Sequence, residues 1–132
     1  MDVAACIIAV IQLTEVCLKL GKKFFGPSQR NSADLRKLSQ SLYSFNGTVR
    51  NLQAHYKING DDKARLDALN HLEKPLKQCE VVLDIVSKRL EHVDFLGQYV
   101  VGKSFDRKLQ KHLDALEDAR DLFELALHSD NQ

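Results

Sequence analysis

Apolar residues recur along most of the chain at alternating spacings of three and four, the period of one face of an α-helix. The clearest run is Leu35, Leu38, Leu42, Phe45, Val49, Leu52 and Tyr56. It predicts a helix over about 32–57, with Asn31 or Ser32 as N-cap, Asp34 in the first turn and Asn59-Gly60 as the stop. A second stripe, Leu66, Leu69, Leu72, Leu76, Cys79, Leu83, Val86 and Leu90, predicts a helix over about 62–92 with Pro75 inside it. Proline removes a backbone donor and clashes with the preceding turn. The helix is therefore expected either to kink at Pro75, the favoured reading, or to be two shorter helices with Pro75 in the first turn of the second. Phe105, Leu109, Leu113, Leu116, Phe123 and Leu127, behind Ser104 as cap, predict a last helix over about 105–128.

The first segment is patterned differently. Val3 to Ile11 are nine consecutive apolar residues, and fourteen of the eighteen from Val3 to Leu20 are apolar. A helix over about 2–20 is predicted, ending at Gly21, with Gln12, Glu15 and Lys19 on one narrow stripe. Eighteen helical residues span about 27 Å, close to the roughly 30 Å hydrocarbon core of a bilayer. A helix apolar nearly all round also suits the centre of a soluble bundle, where three neighbours surround it. The bundle placement is expected at rest, with Ile7, Ile8 and Ile11 buried. Lys19, Lys22 and Lys23 follow, with Phe24 and Phe25 beside them, a pairing suited to an anionic membrane surface as well as to a helix dipole. Lys103, Arg107 and Lys111 form a second basic row at i, i+4 and i+8.

Together these segments predict an all-α fold: an antiparallel four-helix bundle in one domain, 1–132, with a kinked third helix or a short fifth piece around Pro75 or residues 93–101. No strand-like alternation exceeds four residues, and two prolines, six glycines and no tryptophan supply little turn chemistry for a β fold. Hydrophobic residues make up 44% of the 132, enough for a core and too many for a disordered tail. The net charge of +1 argues against a nucleic-acid binder held by phosphates. Charge is uneven: residues 28–57 carry five basic and one acidic side chain, +4, and residues 93–132 five basic and eight acidic, −3. Three cysteines, Cys6, Cys17 and Cys79, are too few and odd for a disulfide scaffold and point to a reducing, cytoplasmic setting. Asp2 stands where a secretory segment wants Lys or Arg, so the apolar start is not read as a signal peptide.

Candidate chemistry is sparse. Residues Gly97 to Ser104 satisfy the P-loop pattern, including Lys103 and Ser104. A working P-loop needs a preceding strand, and at most Val93–Leu96 could supply one; Tyr99, Val100 and Val101 are poor residues for an anion nest. A helix–helix connection is the expected reading. The five histidines are sixteen to twenty-one positions apart and no Glu-x-x-His occurs, so neither a zinc nor a di-iron site is expected. No nucleophile elbow surrounds any serine. Neither enzyme activity, a metal, a cofactor nor a small-molecule substrate is expected.

Four stretches carry a family resemblance: the opening MDVAACIIAVIQLTEVCLKL, LYSFNGTVRNLQ at 42–53, LEKPLKQC at 72–79 and FDRKL at 105–109. Across essentially the whole chain the sequence resembles the HeLo-like N-terminal domain of fungal STAND proteins, the NOD-like receptors and ankyrin-repeat proteins. The resemblance implies a non-enzymatic cell-death execution domain, akin to the four-helix bundle of mixed-lineage kinase domain-like protein, acting in fungal allorecognition and innate immunity. Such a domain is held inactive until a sensor region oligomerises it. It then moves from the cytoplasm to the plasma membrane, where its N-terminal helix forms a pore. Carried onto this chain, the membrane-insertion set is Val3, Ile7, Ile8, Val10, Ile11, Leu13, Val16, Leu18 and Leu20. The candidate headgroup contacts are Lys19, Lys22, Lys23, Lys103, Arg107 and Lys111. The implied partners are anionic phospholipid, further copies of the chain and a sensor protein. These 132 residues carry no nucleotide-binding region, repeat or amyloid motif, so an excised domain or a separately supplied trigger is expected. The alternative function is a protein-interaction adaptor whose first helix never leaves the core.

Overall fold

A computed structural model describes residues 3–25, 33–58, 70–96 and 103–129, with side chains described over 3–21, 37–57, 70–91 and 108–128. Among the described residues four helices have defined bounds: α1 (Val3–Phe25), α2 (Ala33–Ile58), α3 (Glu73–Leu96) and α4 (Lys103–Ser129). Each presents one apolar face to a shared core, and no strand occurs among the described residues. The all-α bundle expected from the periodicity is the fold observed.

The seams are buried as spaced. Leu38, Leu42, Phe45, Val49 and Leu52 of α2 are sealed from solvent, as are Leu72, Leu76, Cys79, Leu83, Val86 and Leu90, and Leu109, Leu113, Leu116 and Phe123 of α4. Phe45 and Phe123 meet at the centre as a tilted pair, ring centroids 6.2 Å apart. Tyr56 and Leu127 close the edges of the core. Leu35, Leu66, Leu69 and Phe105 fall outside the described side chains.

Neighbour relations follow from the contacts. α1 packs against α2 and α3, and α4 packs against the same two helices, so α1 and α4 lie across one diagonal of the bundle. Cys17 in the later half of α1 donates its S–H to the Leu83 carbonyl, 3.5 Å away, and Cys6 earlier in α1 feels the charges of Glu80, Lys77 and Glu73. Early residues thus face early residues, and α1 and α3 run in the same direction. Thr48 meets Glu124 and Phe45 meets Phe123, so α2 and α4 also share a direction, opposite to the first pair. Successive helices alternate up and down, as expected.

Boundaries moved in four places. α1 continues through Gly21 to Phe25, because Gly21 is buried within the helix and not at its end. α4 begins at Lys103, two residues before the expected start. The expected kink at Pro75 is instead a break: Asn70 is helical, His71 and Leu72 form a turn, and α3 starts at Glu73. Pro75 then occupies the first turn, where helical N–H groups have no partner within the helix and a missing one costs nothing. The Leu76 N–H donates to the Leu72 carbonyl at 2.9 Å, directly after the proline. Residues 93–96 are the end of α3, neither a strand nor a separate helix, and residues 97–101 lie outside the described residues.

Candidate membrane-active helix

α1 is built on two faces. Val3, Cys6, Ile7, Val10, Ile11, Thr14 and Cys17 recur every three or four positions and point into the core. The opposite face carries Ala5, Ile8, Gln12, Glu15, Val16 and Lys19. Ile8 is 47% exposed and Val16 42% exposed, so two large apolar side chains of the proposed insertion set already meet water. Ile8 had been expected in the core; helical phase places it on the outer face, nearer Gln12 and Glu15 than Ile7 and Ile11. Leu13, Leu18 and Leu20 are half-buried at the margins and pack on the core from the side.

Its polar groups are satisfied in two ways. The Thr14 hydroxyl, fully buried, donates to the Val10 carbonyl of the same helix at 2.7 Å. That bond belongs to α1 alone and would travel with it into any surroundings. Glu15 by contrast leaves its helix: its carboxylate accepts a hydrogen bond and ion pair from Arg50 of α2, both side chains about half exposed. An exposed pair of this kind contributes about 0–1 kcal/mol. It ties α1 to α2 weakly while giving the one acid on the apolar helix a partner.

Among the described residues, Val3–Gly21 is the one stretch long and apolar enough to cross a membrane, and 39% of that stretch is buried in the bundle. A core helix of a soluble protein meets the same length and composition test. The partial burial distinguishes α1 from a helix enclosed on all sides.

The basic candidates divide. Lys19 and Lys111 are exposed. Lys22 and Lys23 lie in the last turns of α1, and Lys103 and Arg107 in the first turns of α4, with side chains outside the described residues. The alternating helix directions place the end of α1 and the start of α4 at the same end of the bundle. The two basic rows therefore share one end, where the start of α2 adds exposed Lys37 and α4 adds exposed Lys108. Sequence spacing could not have united them, since the rows are some eighty residues apart; the surplus charge of residues 28–57 was the only hint of Lys37. Exposed Glu91 of α3 lies toward the same end.

No group of three or more His, Cys, Asp or Glu among the described residues could hold a metal ion. Cys79 is buried and its thiol is pushed up to about 12 by desolvation, far from a reactive thiolate. His112, half-buried in α4, is lowered by desolvation and then by the charges of Arg89 and Lys111. The P-loop look-alike has helix on both sides, α3 ending at Leu96 and α4 opening with Lys103; Gly97 to Gly102 lie outside the described residues. No known protein family, curated protein or solved structure matches the chain.

Proposed function

We propose that the chain is a non-enzymatic cell-death execution domain. It rests in the cytoplasm as a closed bundle and, once oligomerised by a sensor partner, permeabilises the plasma membrane through α1. The observation that carries this proposal is the double character of α1. One helix supplies a core face and an outer face bearing Ile8 and Val16, over a length matched to the hydrocarbon core of a bilayer. Its buried hydroxyl, on Thr14, is satisfied within α1 itself, so leaving the bundle does not orphan that oxygen. Glu15 is the main obstacle, costing about 2.5–3.5 kcal/mol at mid-membrane on insertion scales. Anionic lipid supplies the counterweight, at about 1 kcal/mol for each lysine near the headgroups.

Charge reversal of Lys22 and Lys23 tests the proposal. A lysine in the last turn of a helix contributes about 0.3–1 kcal/mol through the helix dipole, little beside the apolar core. Lys22→Glu with Lys23→Glu is expected to keep the thermal midpoint of wild type and to bind anionic liposomes far more weakly, with cell toxicity falling in parallel. Undiminished binding by the double variant removes lipid attraction from the account. Exposed Val81 and Leu125 on the opposite side of the bundle favour the adaptor function as the second reading. It takes over if wild type leaves liposomes intact even when forced to oligomerise.

A further inference from the structure

A polar pocket of about 240 Å³ opens between α2 and α4. Lys37, Gln40, Ser41 and Ser44 line it from α2, at the spacing of one helix face, and Glu117 and Arg120 line it from α4. Phe45 and Leu116, both sealed in the core, form its floor. A rigid apolar base under a few convergent polar groups is the make-up of a small-ligand site. One of those groups is unused. The Arg120 Nε–H is buried and has no hydrogen-bond acceptor among the described residues, although 35% of the side chain stays exposed. Its ion pair with Asp121 runs through a terminal nitrogen and is long, at 4.0 Å. Folded proteins rarely leave a buried donor unpaired. Arginine takes phosphate through two parallel N–H groups, so a phosphate held side-on by Arg120 supplies the missing acceptor.

The charges narrow the ligand further. Lys37 and Arg120 give the pocket two positive charges, and Glu117 gives it one negative charge. A phosphate monoester carries about −1.5 to −2 at neutral pH, enough to engage both cations. Gln40, Ser41 and Ser44 offer neutral donors to its remaining oxygens. Phosphate alone leaves Glu117 opposed to an anion, whereas an ammonium group beside the phosphate gives that carboxylate a partner. From this set we infer that the α2–α4 pocket binds a small aminoalkyl phosphate monoester, of which phosphoethanolamine is the simplest. The headgroup of a membrane phosphatide fits less well, because its phosphate is a diester with a single charge. The inference is independent of the membrane activity proposed for α1, and either can fail alone.

Calorimetric titration of the whole chain with phosphoethanolamine tests it without a membrane. Wild type should bind with a Kd of about 1 mM or tighter. Lys37→Ala and Arg120→Gln should each weaken binding by about tenfold, the loss of one charge-assisted hydrogen bond. Lys37 is exposed, so its variant carries the test should Arg120→Gln fail to fold. Glu117→Gln should weaken phosphoethanolamine and strengthen glycerol 3-phosphate, which has the phosphate without the ammonium. Phosphatidylcholine vesicles carrying phosphatidylethanolamine should not distinguish wild type from Lys37→Ala. Absence of phosphoethanolamine binding at about 10 mM overturns the proposal. So does wild-type affinity in Lys37→Ala, or a Glu117→Gln variant that shifts both esters in the same direction. Binding to the vesicles that depends on Lys37 would give the pocket to a lipid headgroup and overturn the soluble monoester.

Discussion

Phe45 and His112 show how unequal the contributions of single side chains are. Phe45 is sealed in the core against Phe123, so Phe45→Ala removes a large apolar group and leaves a cavity that rigid neighbouring helices cannot fill. A loss of about 3–5 kcal/mol is expected, measured by chemical denaturation. His112 acts through its charge. Burial, Arg89 and Lys111 all disfavour its protonated form, so its folded-state pKa lies below the unfolded value. A depressed pKa gives stability that is present above the unfolded value of about 6.5 and is lost as pH falls below it. Wild type should therefore lose stability between about pH 7 and pH 5, above the range where most carboxylates titrate, and His112→Gln should lose less. Denaturant midpoints of both proteins at the two pH values check this. Thr48 shows a third case, a buried hydroxyl that donates to the Glu124 carboxylate at 2.7 Å with the Ser44 carbonyl at 3.2 Å, so that α2 and α4 are joined by a polar contact at the margin of the core.

At the scale of helices, Lys103 opens α4 and the element before the loop is the helix α3, where a phosphate-binding loop would follow a strand. Lys103→Ala is expected to leave stability close to unchanged, and titration with magnesium nucleotides to show no binding by either protein. A micromolar affinity abolished by the substitution contradicts this assignment. The helices themselves were readable from sequence because their seams repeat without interruption, as Leu38 to Leu52 do. The break before Pro75 was not, because Leu72 and Leu76 are one turn apart and keep the stripe in phase across it. A turn of two residues can leave periodicity intact while ending a helix. Ile8 was misplaced for a related reason. Nine apolar residues in a row carry no phase, and only the neighbours packed on α1 decide which of them face out. The polar stripe of Gln12, Glu15 and Lys19 did contain the information, since Ile8 lies four residues before Gln12 on the same side.

The whole molecule is a bundle in which, under the proposed function, one helix meets two incompatible demands. The core needs Ile7, Val10 and Ile11 of α1, each worth about 1.5–3 kcal/mol when buried, and the proposed activity needs the same helix in lipid. Ile8 and Val16 separate the demands, because both face water in the closed bundle and both would enter the bilayer. Replacing them with glutamate costs the resting fold little and adds about 2.5–3.5 kcal/mol per charge to insertion. The decisive measurement is dye release from anionic liposomes by the oligomerised chain, wild type against Ile8→Glu with Val16→Glu, each shown by thermal denaturation to be folded. Wild type should empty the liposomes and the folded double variant should leave them full. Release by the variant equal to that of wild type, or none by wild type, would contradict insertion of α1.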